Sequence, residues 1–154
     1  MKFEGQLIVP APREAVFDRL RDARFFASCV EGVSDLNEVT PTQYTAVFKT
    51  RIAYIRFAFE VVVELIEAER PVAIAAKIEG KPHGIVGRLS ASSSARFEER
   101  GAETVIHYAI EASLTGRLGS IGQPVLKSKA KEMERQFVGN LRRGFAGGTE
   151  AAAS

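Results

Sequence analysis

The side chains of this chain that could do chemistry are few and scattered. His83 stands in the turn GKPHG, His107 alternates with Ile106 and Tyr108, and Cys29 is the one cysteine among 154 residues. A zinc site needs several ligands at close spacing. Two histidines in different segments, with no ligand-spaced carboxylates and no second cysteine, do not supply them. Cys29 has no base nearby in sequence, so it reads as a small buried hydrophobe rather than a nucleophile. GRLGSIG resembles a phosphate loop only superficially, because no Lys-Ser/Thr follows it. A serine-nucleophile elbow and a paired-acid motif are both missing. No catalytic residue and no metal ligand is therefore assigned. An acid–base alternative would have to draw on Tyr108, Ser93 or His83. His107 is expected to face outward. His83 is expected in solvent, or else as a polar anchor at a pocket mouth together with Lys81 and Gly84.

Two other patterns bear on function. In Leu89-Ser-Ala-Ser-Ser-Ser-Ala-Arg-Phe97 the inward set is Leu89, Ala91, Ser93, Ala95 and Phe97. Three small side chains in a row either let a covering helix pack close or leave a void. With Phe48, Phe57, Phe59, Ile78, Tyr108, Met133 and Phe137, the small residues Ala91 and Ser93 are the candidates for a ligand cavity. Taken singly, each of these also reads as ordinary core. Met133 suits a wall that must adapt to a flexible guest. The second pattern is the basic run Lys127, Lys129, Lys131, Arg135, Arg142 and Arg143 against Glu132 and Glu134. This is either a solvated helix face or, through Lys127, Lys131 and Arg135, a contact for anionic lipid or an acidic partner.

The elements that must position these residues follow from period and punctuation. In VPAPREAVFDRLRD, Pro10 and Pro12 each remove a backbone donor and stop a strand that ends at Val9. Pro12 suits the first helical position, which makes Ala11 the cap and puts Glu14 at the third position, near the positive end of the helix dipole. RFFASC (Arg24 to Cys29) extends the helical region, and GVSDLNEV returns to loop and strand. From Gln43 the period becomes two. Strands are expected at Gln43–Thr50, Tyr54–Ile66, Val72–Glu79, Ile85–Glu98 and Glu103–Leu114, with breakers too short for parallel crossovers. Ile55, Phe57, Phe59, Val61, Val63 and Leu65 give the second of these one buried face. From Ser120 to Phe145, Ile121, Val125, Leu126, Ala130, Met133, Phe137, Leu141 and Phe145 recur at helical spacing. Pro124 is tolerated only in a first turn, which puts the helix start near Gly122. At 1.5 Å per residue this rod is roughly 35 Å long. Its one apolar stripe needs a broad partner, and the long, curling strands provide it. The fold class is thus α+β, a curved antiparallel sheet wrapped around a long C-terminal helix, with short helices near the N-terminus plugging one end. Residues 1–146 form one domain, and Gly147 to Ser154 read as a disordered tail.

Composition excludes some classes. Hydrophobic residues make up 45% of the chain and the formal net charge is +2, too small a total to suggest nucleic acid. The longest mostly apolar run, Ile52 to Ile66, is broken by Arg56, Glu60 and Glu64, short of the roughly 20 residues of a membrane span. The first residues hold no signal-peptide core, so the expected location is cytoplasmic.

Strand, VPAPREAVFDRLRD, Cys29-x-x-Gly32, long meander, GKPHGIVGR with Gly84 and Gly87, Gly116-Arg-Leu-x-x-Ile-Gly, and a last helix with KEMERQFVGNL: over about residues 2 to 145 this order resembles the carbon monoxide dehydrogenase G-subunit (CoxG) family. That family is part of the START-like, helix-grip (SRPBCC) superfamily. One departure is Glu31-Gly32, where the family usually has Pro-Gly, although Gly32 still supplies φ > 0. The resemblance implies a lipophilic-ligand carrier or adaptor that binds a hydrophobic small molecule, plausibly a quinone. Such a protein would serve a molybdenum hydroxylase of the carbon monoxide dehydrogenase type, with peripheral contact to the membrane and no cofactor acting as catalyst. The alternative within the superfamily is a small cyclase, aromatase or hydrolase using polar cavity residues. The poverty of inward ionisable groups favours the carrier.

Overall fold

In the computed structural model, which describes the backbone of residues 1–153 and side chains through Phe145, Pro10 ends strand β1 (Lys2–Val9) as its missing donor requires. The first helix, α1 (Arg13–Arg21), begins one residue later than the sequence suggests. Pro12 is the cap, at φ −65° and ψ 152°. Its carbonyl takes the first helical bond, from Val16 N at 3.0 Å. Ala11, the expected cap, is engaged elsewhere: its carbonyl accepts the hydroxyl of the fully buried Thr104 at 2.8 Å. A second short helix, α2 (Ala23–Ser28), is capped by Asp22, whose carboxylate accepts from Arg24 N at 2.9 Å.

Strands β2 (Val33–Thr40), β3 (Gln43–Ile52), β4 (Ile55–Glu69), β5 (Ala73–Pro82), β6 (Gly87–Arg100) and β7 (Glu103–Gly116) follow. They form one antiparallel sheet in the order β1-β7-β6-β5-β4-β3-β2. The expected five-strand meander is extended at its two edges, by β1 against β7 and by β2 against β3. α1 and α2 carry the chain from one edge to the other. β4, β6 and β7 run for 15, 14 and 14 residues. A bulge in β4 sits between the pairs Leu65–Ala76 and Glu67–Ala75. Extra residues of this kind bend and twist a strand, and together with strand length they curl the sheet.

A 3-10 turn (Arg117–Ile121) leads into α3 (Gln123–Ala153), with Gly122 at φ 101° and Pro124 in the first turn as expected. The separate tail expected over Gly147–Ser154 lies outside the residues described in full. The C-terminal part of α3 is clamped. Leu141 and Phe145 are buried with Leu7, Val9, Val16, Phe17, Cys29, Phe97 and Ile106. Gly144 lets Phe25 approach so closely that a Cβ there would lie 2.8 Å from its ring. Phe25 meets Phe145 edge-on at 5.6 Å, and Arg19 lies over the Phe25 ring at 4.9 Å. Asn140 donates to the Cys29 carbonyl at 3.0 Å, tying α3 to the end of α2. A smaller cluster, Ile52, Phe57, Phe59 and Leu118, closes the opposite end of the sheet.

Candidate ligand cavity

Between these two clusters a cavity of about 790 Å³ separates much of α3 from the sheet floor, where β5 and β6 contribute the small side chains Ala76, Ser93 and Ala95 beside larger ones. Such a volume lies within the range of small-molecule sites. Phe48, Phe59, Ile78, Leu89 and Ser93 line the sheet side, and Leu126, Met133 and Phe137 line the helix side. Met133 and Phe137 are half-buried, in contrast to the fully buried Leu141 one turn beyond Phe137. Phe26 of α2 reaches the wall and contacts Phe137 at 5.3 Å. Gly32 brings the turn after α2 onto β3. Its φ is 88°, and a Cβ there would collide with the Lys49 carbonyl oxygen.

The wall is apolar apart from a few placed groups. Tyr108 donates to Glu134 Oε2 at 2.7 Å, joining the β7 strand to α3. Gly5, its partner across β1, makes room for the ring: a Cβ there would lie 2.7 Å from Tyr108 Cζ. Burial, the hydrogen bond to Glu134 and the charge of that carboxylate push the Tyr108 phenol up to about 12. It therefore stays protonated and acts as a donor. Burial likewise raises Tyr44, another lining residue. A second polar pair, Lys129 and Glu132, lines the wall with 3.2 Å between Nζ and Oε2. Cys29 is 2% exposed, and burial pushes its thiol up against the weaker pull of a Ser28 hydrogen bond and the Arg19 charge. A thiol held protonated is a poor nucleophile.

Of the nine candidate cavity residues, the fold brings together Phe48, Phe59, Ile78, Ser93, Tyr108, Met133 and Phe137. Phe57 is instead 5% exposed in the end cluster beneath Leu118, and Ala91 sits half-buried in the ladder between Ile78 and Ala112. Lys81, His83 and Gly84 occupy the end of β5 and the connection to β6, and do not line the cavity. His83 is exposed beside Glu60, at 3.4 Å, and His107 is exposed beside Glu98, at 3.0 Å. Lys127, Lys131 and Arg135 form an exposed stripe on α3.

One correction concerns charge: Lys129, Glu132 and Glu134, expected on the wet face, line the cavity, so inward ionisable groups are not absent. The signal for Glu134 lies in the periodicity. Ala130, Glu134, Phe137 and Leu141 recur at spacings that share one helix face. Tyr44 carries no comparable signal, because β3 is half-buried at nearly every position and shows no clean alternation.

The fold has many solved counterparts. A conserved protein from Geobacillus kaustophilus matches with a TM-score of 0.86 at 20% identity, covering 95% of each chain. A START superfamily protein from Mycobacterium smegmatis matches at 0.72 and 10% identity, covering 94% of this chain and 97% of that one. An aromatase/cyclase from Streptomyces sp. R1128 matches at 0.66 and 12% identity, covering 95% and 93%. At these identities the likeness establishes the fold, a START-like one. No curated protein matches the chain by sequence. A family model described as the carbon monoxide dehydrogenase G-subunit (CoxG) matches residues 5–145.

Proposed function

The chain belongs to the CoxG family of carbon monoxide dehydrogenase, and from that premise we propose that it is a non-catalytic carrier that buries a lipophilic molecule, a quinone, between sheet and α3. In this reading it serves a molybdenum hydroxylase of the carbon monoxide dehydrogenase type, and works in peripheral contact with the membrane. No described helix is long and apolar enough to cross one. The observation that carries the proposal is the 790 Å³ cavity with an apolar wall and a few placed polar groups, Lys129 among them. At ~30 Å³ per water such a space would hold roughly 25 waters, most of them against hydrocarbon. A tail that displaces them contributes roughly 0.8 kcal/mol per buried CH₂. A quinone carbonyl offers an acceptor that the ammonium of Lys129 would meet, since the single Tyr108 proton is given to Glu134.

The acid–base alternative draws on the same Tyr108–Glu134 pair. It is the weaker reading, because a phenol held near 12 is poorly matched to proton transfer at neutral pH. The proposal includes no catalytic metal. Among the described residues no three His, Cys, Asp or Glu side chains are grouped to hold one, and chelation is expected to leave fold and ligand binding unchanged.

Native mass spectrometry of the purified protein is expected to recover a copurified lipophilic molecule. The chain has no tryptophan, so Phe137→Trp supplies a unique reporter. Its emission should respond to tailed quinone analogues, with affinity rising roughly tenfold or more for each added isoprene unit. Equal affinity for bare headgroups would overturn tail burial. Turnover of a cyclisable polyketide mimic, lost in Tyr108→Phe, would favour the enzyme instead.

A further inference from the structure

The small net charge of the chain conceals a strong polarity. Three segments meet at the end of the sheet where α3 begins. They are the β3–β4 hairpin (50–59), the β5–β6 connection (80–91) and the stretch from β7 into α3 (112–131). Their meeting is fixed by backbone bonds. Phe59 pairs with Pro82 and Gly87 with Gly116. His83 N donates to the Ala58 carbonyl at 2.9 Å, and Arg117 N to the Val86 carbonyl at 2.8 Å. These segments hold eight of the 21 Lys and Arg residues and none of the 19 Asp and Glu. The rest of the chain therefore carries 13 cations against 19 acids. Arg51, Arg56, Lys81, Arg88, Arg117, Lys127 and Lys131 are exposed, while Glu60 beside His83, Glu79 bonded by Ser90 and Glu132 beside Lys129 stand at the border.

Among the cations stand apolar side chains in water. Tyr54 is 90% exposed, Val86 78%, Ile55 49% and Val125 38%. They sit on all three segments. The β3–β4 hairpin continues past the last β4–β5 pair, through Arg51–Arg56 and Ile52–Ile55, so that Tyr54 caps a projecting prong. The buried cluster of Ile52, Phe57, Phe59 and Leu118 holds the prongs from beneath.

We propose that this end of the molecule docks on an anionic bilayer surface. Tyr54, Ile55, Val86 and Val125 enter the headgroup layer, and the surrounding cations meet lipid phosphates. Apolar burial plus attraction to anionic lipid is the general basis of interfacial binding, and tyrosine suits the headgroup level. A nucleic acid would use the cations and leave the apolar prongs in water. A folded acidic partner needs a continuous matching face, which separate prongs do not offer and a fluid interface does not require. Ile52, Leu89, Leu114 and Leu126, at this same end, also line the cavity. A molecule leaving there passes into lipid. The proposal deepens the carrier reading by naming its docking face. Its test uses no ligand, so failure here leaves the cavity reading standing, and failure of ligand binding leaves this face standing.

The experiment is flotation with vesicles of phosphatidylcholine, alone or mixed with phosphatidylglycerol, combined with emission from Tyr54→Trp. The protein should float only with the mixed vesicles, and the Tyr54→Trp emission should shift to the blue. Arg51→Gln with Arg56→Gln should weaken binding on the order of twentyfold, at about fivefold per charge. Tyr54→Ser with Val86→Ser should abolish the residual binding at raised salt. Lys77→Gln with Arg21→Gln, exposed cations elsewhere, should bind as the parent does. All these positions are exposed, and circular dichroism checks that each variant folds. Equal loss in the Lys77/Arg21 variant, or binding without a blue shift, would overturn the proposal. Binding of soluble polyglutamate with the same dependence on Arg51 and Arg56, but no vesicle binding, would reassign the face to an acidic protein.

Discussion

Truncating Leu141 and truncating Met133, both on the inward side of α3, should cost very different amounts of stability. Leu141 is 0% exposed and packed among Leu7, Val9, Phe17 and Ile106, so alanine there removes buried atoms and leaves a void. Such changes cost about 2.7–5 kcal/mol in well-packed cores, and about 3.5 kcal/mol is expected here. Both residues touch the cavity, but Met133 is only half-buried, so its removal forfeits fewer contacts and creates little new void. About 1 kcal/mol is expected. In a domain of this size each kcal/mol shifts Tm by ~2–4 °C, so the two variants should fall by roughly 10 °C and 3 °C. Urea unfolding at constant m gives the free energies directly. Equal losses at the two positions would mean that α3 packs on the sheet along its whole length in solution, and the cavity reasoning would fail. A tailed ligand adds a second arm. At a hundredfold excess over Kd it should stabilise the parent by about 2.7 kcal/mol, and Leu141→Ala should keep most of that gain while Met133→Ala loses part of it.

Three further outcomes follow from single contacts. The Tyr108 phenol is raised above its ordinary value in the fold, so its contribution is complete below pH ~10 and lost as pH climbs toward about 12; Tyr108→Phe should flatten stability in that alkaline window. Asp18 accepts two bonds from Arg70, at 2.8 and 3.0 Å, which lowers its carboxyl. The resulting stability is present above the unfolded value and lost as pH falls below it, and Arg70→Gln should remove that acid dependence in a pH series of urea melts. Gly32→Ala places a Cβ against the Lys49 carbonyl at φ 88°; it should cost about 2 kcal/mol or more and show early amide exchange in β2 and β3.

Much of this molecule is legible along the chain because local rules decide it. Prolines at 10 and 12 stop β1 wherever it goes, alternation from Phe57 to Leu65 marks a one-sided strand, and the stripe from Leu126 to Phe145 requires a partner, whereas Ile55, expected on the buried face, stands 49% exposed because the hairpin projects past β5. Even so, the cap of α1 falls on Pro12 because Thr104, 93 residues away, takes the Ala11 carbonyl. No local rule contains that bond. The same limit applies to the site. The sequence identifies Phe57 and Phe59 as inward. Both pack in the cluster around Leu118, and only the curled sheet decides that Phe59 also faces the cavity while Phe57 does not. It identifies Lys129 and Glu134 as charged residues on a helix. Their place in the cavity depends on how far α3 stands from the sheet, set by Asn140, Gly144 and Phe145 at its clamped end. Period and punctuation act within a few residues. The void, its two polar pairs and the cation-rich end arise from contacts between segments tens of residues apart, and those exist only once the sheet has curled around the helix.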